Sequence, residues 1–279
     1  MSSRNIIPLQ GTKIAYWTYH DPTLPTIVMI HGFRGTHHGL DLIAKALPGH
    51  HLIVPDLPGF GESEPLTHGH SLDSYAQWLR AFIDELKLPE PPVLLGHSFG
   101  SIVTAAYAGE YPATISKLIL VNPIGAPALE GPKAALTKLA IFYYLLGRKL
   151  PPKIAHSWLS TKPIVMVMSS TMAKTKDKQL RAFIHNQHLQ HFSTYANPAV
   201  LSEAFKTSIS HTVREHAPTI AVPTLLIAGD VDDITPLAKQ RELVKLFPRA
   251  TLKVIKGVGH LTHYETPDQV AKLIDDFIR

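Results

Sequence analysis

The chain has 279 residues, of which 45% are hydrophobic and 18% are charged, and its formal net charge is +5. This composition excludes an intrinsically disordered chain and fits one large domain, or one domain with an insertion. The sequence contains no cysteine, which excludes disulfide bonds, cysteine-ligated zinc and a thiol nucleophile.

The first 122 residues alternate strand-like and helix-like stretches, a rhythm that favours a parallel α/β sheet. A hairpin is predicted around Gln10-Gly11, and four short, β-branched apolar runs follow it, as buried parallel strands do. The clearest helix is Ser71–Leu86, which has one apolar face and Ser71 in the N-cap position. The predicted strands are Asn5–Leu9, Thr12–Tyr19, Thr26–Ile30, His51–Val54, Val93–Leu95 and Lys117–Val121.

The pattern changes after Asn122-Pro123. Residues 123–217 are predicted to be helical and divided by prolines, with Ile164–Met168 as the main strand candidate. The alternation then resumes with strands Pro223–Ala228 and Thr251–Ile255 and helices Pro236–Phe247 and Pro267–Ile278. The sequence therefore predicts an α/β core formed by residues 1–122 and 218–279, with residues 123–217 as a helical insertion.

The predicted insertion is strongly basic. It contains 12 basic and 4 acidic residues, whereas the rest of the chain contains 15 and 18. Such asymmetry fits either solvated helix faces or a surface for an anionic substrate, an acidic partner or a membrane interface. Nucleic acid is not expected as a partner, because no binding motif and no basic stripe with interleaved aromatic residues accompanies the charge.

No part of the sequence reads as a membrane span. The longest apolar run, Leu139–Leu146, holds eight residues, whereas a transmembrane helix needs about 20. The N-terminal residues lack the apolar segment of a secretory signal. We therefore expect no transmembrane segment, and a cytoplasmic location agrees with the absence of cysteine.

The segment Gly96-His97-Ser98-Phe99-Gly100 lies where a predicted strand ends and a predicted helix begins. This is the Gly-x-Ser-x-Gly motif in the context of a nucleophile elbow, a strained turn that raises a serine hydroxyl above the sheet. Small residues two positions before and after the serine allow the chain to double back. The motif predicts that Ser98 is a nucleophile.

A serine hydroxyl needs a base to take its proton, and the base needs an acid to orient it. Both residue types follow later strands, where catalytic loops of an open α/β sheet collect. Asp230, Asp232 and Asp233 follow the strand Pro223–Ala228, and each can supply the acid. His260 directly follows the glycine after the last strand and is favoured over His263 as the base.

These motifs resemble those of the α/β-hydrolase superfamily, over nearly all of the chain outside the insertion. The resemblance implies an α/β-hydrolase fold, with a mostly parallel eight-stranded sheet flanked by helices and a helical cap inserted at residues 123–217. The segments that carry it are His31-Gly32-Phe33, the loop from Asp56 to Ser63, Gly96–Gly100, Gly229–Asp232 and Gly259-His260.

The resemblance also assigns roles. The family spacing Gly-x-x-Asp selects Asp232 as the acid, with Asp230 and Asp233 as alternatives, beside the nucleophile Ser98 and the base His260. The backbone N–H groups of Phe33 and Phe99 would form the oxyanion hole. Asp56 and the glycine-rich loop after it would be structural. His97 would support the site without reacting.

The activity implied is hydrolysis of a small to medium carboxylic ester, a small-molecule acyl substrate, through an acyl-enzyme, with no cofactor and no metal. Serine at position 98 disfavours the related dehalogenases and epoxide hydrolases, which use an aspartate nucleophile. Some relatives carry the catalytic acid at the end of the sixth strand, but this chain has the amide Asn122 there, which cannot serve as that acid. The same triad also serves C–C bond hydrolysis of dienones, perhydrolysis, thioester cleavage and aminopeptidase chemistry. A second class of function is a ligand-binding receptor with little turnover.

Two further patterns lie in the insertion. His185, His188 and His191 form His-x-x-His-x-x-His on a predicted helix, but a metal site is not expected, because no acidic ligand accompanies them. Apolar residues of the insertion either line an acyl pocket or seal the cap to the core, and most are expected to pack. They are Leu139, Ile141, Phe142, Tyr143, Tyr144, Leu145, Leu146 and Trp158.

Overall fold

A computed structural model describes residues 2–127 and 134–279. At its centre is an eight-stranded sheet in the order β1-β2-β4-β3-β5-β6-β7-β8. β2 runs antiparallel to both of its neighbours, and all other neighbouring pairs are parallel. The mostly parallel eight-stranded sheet is therefore confirmed. The strands are β1 (Ser2–Leu9), β2 (Thr12–Tyr19), β3 (Thr26–Ile30), β4 (His51–Pro55), β5 (Val93–His97), β6 (Lys117–Val121), β7 (Thr224–Gly229) and β8 (Ala250–Ile255).

Helices cover both faces of the sheet, which is why the central strands are continuous apolar runs. One core lies under α2 and α3, and the other lies under α1 and α11. Ser71 caps α2 as predicted, because its side chain accepts a hydrogen bond from the Ser74 N–H. The helices of the core are α1 (Asp41–Lys45), α2 (Leu72–Glu85) and α3 (Phe99–Glu110).

In the described part of the chain, five more α-helices lie between β6 and β7, and three follow β7. We call α4–α8 the helical segment. Residues 128–133 of the predicted insertion lie outside the described residues. The helices are α4 (Ala134–Lys149), α5 (Pro152–Leu159), α6 (Lys162–Met172), α7 (Lys178–His191), α8 (Pro198–Ser210), α9 (Leu237–Leu243), α10 (Thr262–Glu265) and α11 (Pro267–Ile278).

The strand candidate Ile164–Met168 is wrong, because these residues form the middle of α6. Pro163 stands in the first turn of the helix, where its missing N–H costs nothing. Val165 and Ser169 are four residues apart and form the buried side of α6. A short β-branched run fits a strand and a buried helix equally well, and only the helical packing decides between them.

None of the helices formed by residues 2–127 and 134–279 combines the length and the hydrophobicity that crossing a membrane requires. The longest of them, α4, has 16 residues and mixes exposed apolar with basic side chains.

Candidate active site

Ser98 occupies a strained turn between β5 and α3. Its backbone angles are φ 52° and ψ −117°, a left-handed conformation that side chains rarely adopt. A Cβ on Gly96 would overlap the Thr104 hydroxyl and the Gly100 carbonyl. A Cβ on Gly100 would overlap the Ile30 carbonyl oxygen. Only residues without a side chain fit at these two positions.

His260 and Asp232 reach the same edge of the sheet from the loops after β8 and β7. The Nε2 atom of His260 lies 2.8 Å from Ser98 Oγ. Its Nδ1 atom lies 2.8 Å from Asp232 Oδ2. The structure thus brings together the three side chains that the sequence analysis selected, in one hydrogen-bonded series.

Asp232 is buried and accepts several hydrogen bonds. Its Oδ1 atom accepts the backbone N–H groups of Ile234 at 2.8 Å and Thr235 at 2.9 Å. Its Oδ2 atom accepts the Thr235 hydroxyl and the His260 ring. Burial alone would raise the pKa of the carboxyl, but His260 and Thr235 outweigh it and hold the pKa well below its usual range. Asp232 therefore stays ionised beside the imidazole.

Asn122 supports this arrangement in a way that the sequence analysis missed. Its amide donates to Asp232 Oδ2 at 3.0 Å and to the Gly259 carbonyl at 3.3 Å. Its own carbonyl accepts the Thr262 hydroxyl. The sequence contains a signal for this role, because Asn122 directly follows a buried strand and polar residues in that position lie at the catalytic edge of the sheet.

The alternative acid and base residues are engaged elsewhere. Asp230 accepts the Gly257 N–H at 2.7 Å, and Asp233 forms an ion pair with Lys174. His263 packs its ring 4.0 Å from the ring of His97. Of the candidates, the geometry therefore places Asp232 and His260 in line with Ser98.

The proposed oxyanion donors lie beside the serine. A Cβ built on Gly32 would lie 3.2 Å from Ser98 Cβ, so the Phe33 main chain passes close to the nucleophile. In the described part of the chain, the N–H groups of Phe33 and Phe99 donate no hydrogen bond. Both residues line the cavity that contains Ser98. These N–H groups are free to bind an oxygen atom of a ligand.

His97 and Asp56 hold the surrounding loops. Burial and the neighbouring His260 lower the pKa of His97 to about 3, so its ring is neutral. Its Nε2 atom lies 3.4 Å from the carbonyl oxygen of His260, to which it donates. Asp56 accepts the His37 N–H at 2.7 Å and the Glu62 N–H at 2.9 Å, which ties the loop after β4 to the loop after β3.

A cavity of about 940 Å³ opens above Ser98, between the core loops and the helical segment. Its lining is mainly apolar, with residues such as Phe33, Leu40, Ala140, Met168 and Phe205. Within the described residues, the lining includes none of the eight apolar residues of the insertion considered above. The expectation that most of these eight residues pack is wrong for half of them, because Leu139, Phe142, Leu145 and Trp158 are exposed on the outer side of their helices. Only Tyr144 is fully buried, against Phe205 at 4.0 Å between ring centroids.

A family model for the alpha/beta hydrolase fold matches residues 25–267. The chain belongs to the α/β-hydrolase family. This α/β-hydrolase is 26% identical to "Lipase 3" of Moraxella sp. (strain TA144) in a 275-residue alignment that covers 94% of this chain and 79% of that protein. It is also 26% identical to human "Monoacylglycerol lipase ABHD6" in a 257-residue alignment that covers 91% of this chain and 75% of that protein.

Solved structures agree on the fold of this α/β-hydrolase. A thermophilic esterase from Thermogutta terrifontis superposes with a TM-score of 0.79 at 23% identity, covering 99% of this chain and 98% of the esterase. An enol-lactonase from Burkholderia xenovorans LB400 superposes with a TM-score of 0.83 at 17% identity, covering 98% and 99%.

Arg34, next to Phe33, is 1% exposed and joins the core of this α/β-hydrolase to the helical segment. Its Nε donates to the Phe192 carbonyl at 2.9 Å, and its Nη2 donates to the Leu159 carbonyl at 2.8 Å. Its Nη1 lies 3.2 Å from the Tyr144 hydroxyl, to which it donates. One guanidinium group thereby fixes α4, α5 and the end of α7 over the loop that carries Phe33.

Replacing Arg34 by lysine is expected to lower the free energy of unfolding by about 2–4 kcal/mol. A single ammonium group cannot reach three separated acceptors, and each buried carbonyl left without a donor costs about 1–3 kcal/mol. Urea unfolding measures the change. The matched control is Arg80→Lys, at an exposed ion pair with Asp84, which is expected to cost about 0.5 kcal/mol or less. Equal losses in the two variants would contradict the anchoring role.

The His-x-x-His-x-x-His pattern lies on α7, but its members face different partners. His185 and His188 each contact the Ser169 hydroxyl, at 2.6 and 2.7 Å. The ring of His191 lies 4.1 Å from that of His38 in the core. No group of three or more candidate metal ligands occurs in the part of the chain that the structure describes.

His188 is expected to make the stability of the fold depend on pH. Burial and the neighbouring His185 and His191 lower its pKa from 6.5 to about 3, so the unfolded chain binds a proton there that the folded chain does not. Stability therefore falls as the pH drops from 6.5 towards 3, by about 1.4 kcal/mol per pH unit for this residue.

Urea unfolding of the wild type and of His188→Gln between pH 7 and pH 4 tests this expectation. The variant should show a slope of unfolding free energy against pH that is smaller by about 1.4 kcal/mol per unit. Lost packing shifts the whole curve without changing its slope, so the slope is the readout. Equal slopes would show that His188 does not control this loss.

Proposed function

We propose that this α/β-hydrolase is a serine hydrolase that cleaves small to medium carboxylic esters through an acyl-enzyme. The observation that carries the proposal is the position of His260, whose two ring nitrogens lie 2.8 Å from Ser98 Oγ and 2.8 Å from Asp232 Oδ2. A neutral imidazole that donates from Nδ1 to a carboxylate must accept at Nε2. Such an imidazole is a base for the serine proton.

Acylation begins when Ser98 Oγ attacks the ester carbonyl carbon and His260 Nε2 takes the hydroxyl proton. The carbonyl oxygen gains negative charge and accepts hydrogen bonds from the N–H groups of Phe33 and Phe99, which have no other acceptor among the described residues. Asp232 stabilises the imidazolium that forms. His260 then gives its proton to the leaving alkoxide, and the C–O bond of the ester breaks to release an alcohol.

Deacylation repeats these steps with water as the nucleophile. His260 takes a proton from water, the resulting hydroxide attacks the acyl carbon, and the serine oxygen leaves and regains its proton from His260. The products of this step are a carboxylic acid and the free enzyme, so the proposed reaction needs no cofactor.

The apolar lining of the 940 Å³ cavity supports an apolar acyl group as the part of the substrate held above Ser98. The names of the curated relatives, a lipase and a monoacylglycerol lipase, support the same class of bond. An ester of a medium-length fatty acid fits both observations.

Turnover of p-nitrophenyl esters from acetate to laurate tests the proposal. We expect hydrolysis with an optimum at intermediate chain length and covalent labelling of Ser98 by a fluorophosphonate probe. Labelling without ester turnover would show that Ser98 is a competent nucleophile and that the proposed class of ester substrate is wrong. Dienone substrates and small-molecule receptor ligands would then be tested next. A protein that neither turns over nor becomes labelled is not a serine hydrolase.

A further inference from the structure

The outer surface of the helical segment carries most of the exposed large apolar side chains of the described residues. Eleven such side chains are exposed in all, and seven of them lie on α4–α7. Val167, Leu139 and Phe142 are the most exposed, at 65%, 64% and 63%. We call the seven the apolar face: Leu139, Phe142, Leu145, Ile154, Trp158, Val167 and Phe183.

Part of the apolar face is a continuous ridge. Leu139, Phe142 and Leu145 recur every three residues, so they follow one side of α4. Trp158 on α5 adjoins that helix, because its indole N–H donates to the Tyr143 carbonyl at 3.4 Å. Ile154 precedes Trp158 by one helical turn on the exposed side of α5. Soluble proteins rarely expose so many large apolar groups together without a partner for them.

The helices that carry the apolar face, and the loops between them, are strongly basic. Residues 134–191 contain nine lysines and arginines and one acidic residue. Eight of the nine are exposed and form no ion pair within residues 2–127 and 134–279, and the ninth, Lys174, pairs with Asp233. The eight are Lys138, Arg148, Lys149, Lys153, Lys162, Lys176, Lys178 and Arg181.

The helices that carry the apolar face also roof the cavity above Ser98. Ala140 of α4 and Met168 of α6 line the cavity, and the residue before each of them, Leu139 or Val167, is exposed to solvent. A partner bound to the outside of α4 and α6 would therefore lie one helix diameter from the cavity.

We propose that the apolar face docks onto the surface of an anionic lipid bilayer, from which a lipid ester enters the cavity. This inference rests on the proposed function, because it names the source of the substrate. Exposed apolar side chains on helices that lie in the plane of a bilayer enter the headgroup region, and lysines and arginines beside them bind anionic lipids.

The charge decides between a bilayer and a second copy of the chain. Two copies meeting through this face would place two sets of nine basic residues against each other, each set with one acidic residue to offset it. The apolar side chains protrude from four different helices, and a deformable bilayer can accommodate such an uneven surface. An anionic surface thus complements both the shape and the charge of the face.

Flotation of the full chain with lipid vesicles tests the proposal. We expect the protein to float with vesicles of phosphatidylcholine and phosphatidylglycerol, and less with phosphatidylcholine alone or at high salt. The double variant Leu139→Ser, Phe142→Ser should partition about tenfold less into both kinds of vesicle. The double variant Lys149→Glu, Lys153→Glu should lose its preference for phosphatidylglycerol.

The matched control is Ile6→Ser, Val254→Ser, which changes two exposed apolar residues outside the helical segment and should float like the wild type. Equal loss in this control would overturn the proposal. So would a wild type that does not float, or one that forms a dimer which Leu139→Ser, Phe142→Ser dissociates.

Hydrolysis of the soluble ester p-nitrophenyl butyrate separates this inference from the proposed function. It should be unchanged in all three double variants. Hydrolysis without flotation refutes the docking surface alone, whereas flotation without hydrolysis of any ester refutes the proposed function alone.

Discussion

Ser98→Ala and His260→Ala are each expected to lower kcat for a p-nitrophenyl ester by about 10⁶-fold. Alanine at 98 removes the attacking oxygen, and alanine at 260 removes the base that lies 2.8 Å from it. The two groups act in one step, so the loss of either ends the same reaction. The double variant should therefore be no slower than either single variant.

Steady-state kinetics on the three proteins measures this effect, with thermal unfolding to confirm that each is folded. Ser170→Ala, at an exposed serine of α6, is the matched control and should keep wild-type kcat. Losses that multiply in the double variant would show that Ser98 and His260 act independently, which contradicts the proposed mechanism.

Asp232→Asn is expected to lower kcat by about 10⁴-fold while preserving the fold. The backbone N–H groups of Ile234 and Thr235 point at one oxygen of the side chain, so the amide oxygen of asparagine takes that position. The amide NH₂ group then faces His260 Nδ1 and donates to it. The ring proton moves to Nε2, and the imidazole can no longer accept the proton of Ser98.

The same reasoning gives the control for Asp232→Asn. Asp230→Asn makes an identical chemical change two residues away, where the side chain oxygen can still accept the Gly257 N–H. Its kcat should stay within about threefold of the wild type, because Asp230 does not orient the imidazole. If Asp230→Asn were the slower variant, the acid would be Asp230, one of the alternatives that the sequence left open.

The catalytic candidates could be predicted because each stands in a local pattern. Ser98 lies between two glycines whose absence of Cβ the turn requires, and Asp232 and His260 lie in the loops that follow β7 and β8. Parallel strands bring such positions to one edge of the sheet, however far apart they are in the chain. Local sequence and topology together thus predict their proximity.

Arg34 could not be predicted in the same way. Its acceptors on Tyr144, Leu159 and Phe192 are 110, 125 and 158 residues away, and two of them are main-chain carbonyls that any sequence would offer. No residue pattern marks such a contact. The strand assignment of Ile164–Met168 failed for a related reason, because the buried side of this segment packs against α7 and not against the sheet.

The strands on either side of the helical segment are neighbours in the sheet. β6 and β7 pair in parallel, with Leu118 opposite Thr224 and Val121 opposite Ile227, so the helical segment is a crossover that joins two neighbouring strands of an intact sheet. The entropic cost of closing such a loop rises only slowly with its length, so a shorter or longer excursion can join the same two strands. The helical segment that covers the cavity can therefore change during evolution, and the substrates that enter can change with it. Ser98, Asp232 and His260 would keep their positions, because they lie on loops of the unchanged sheet.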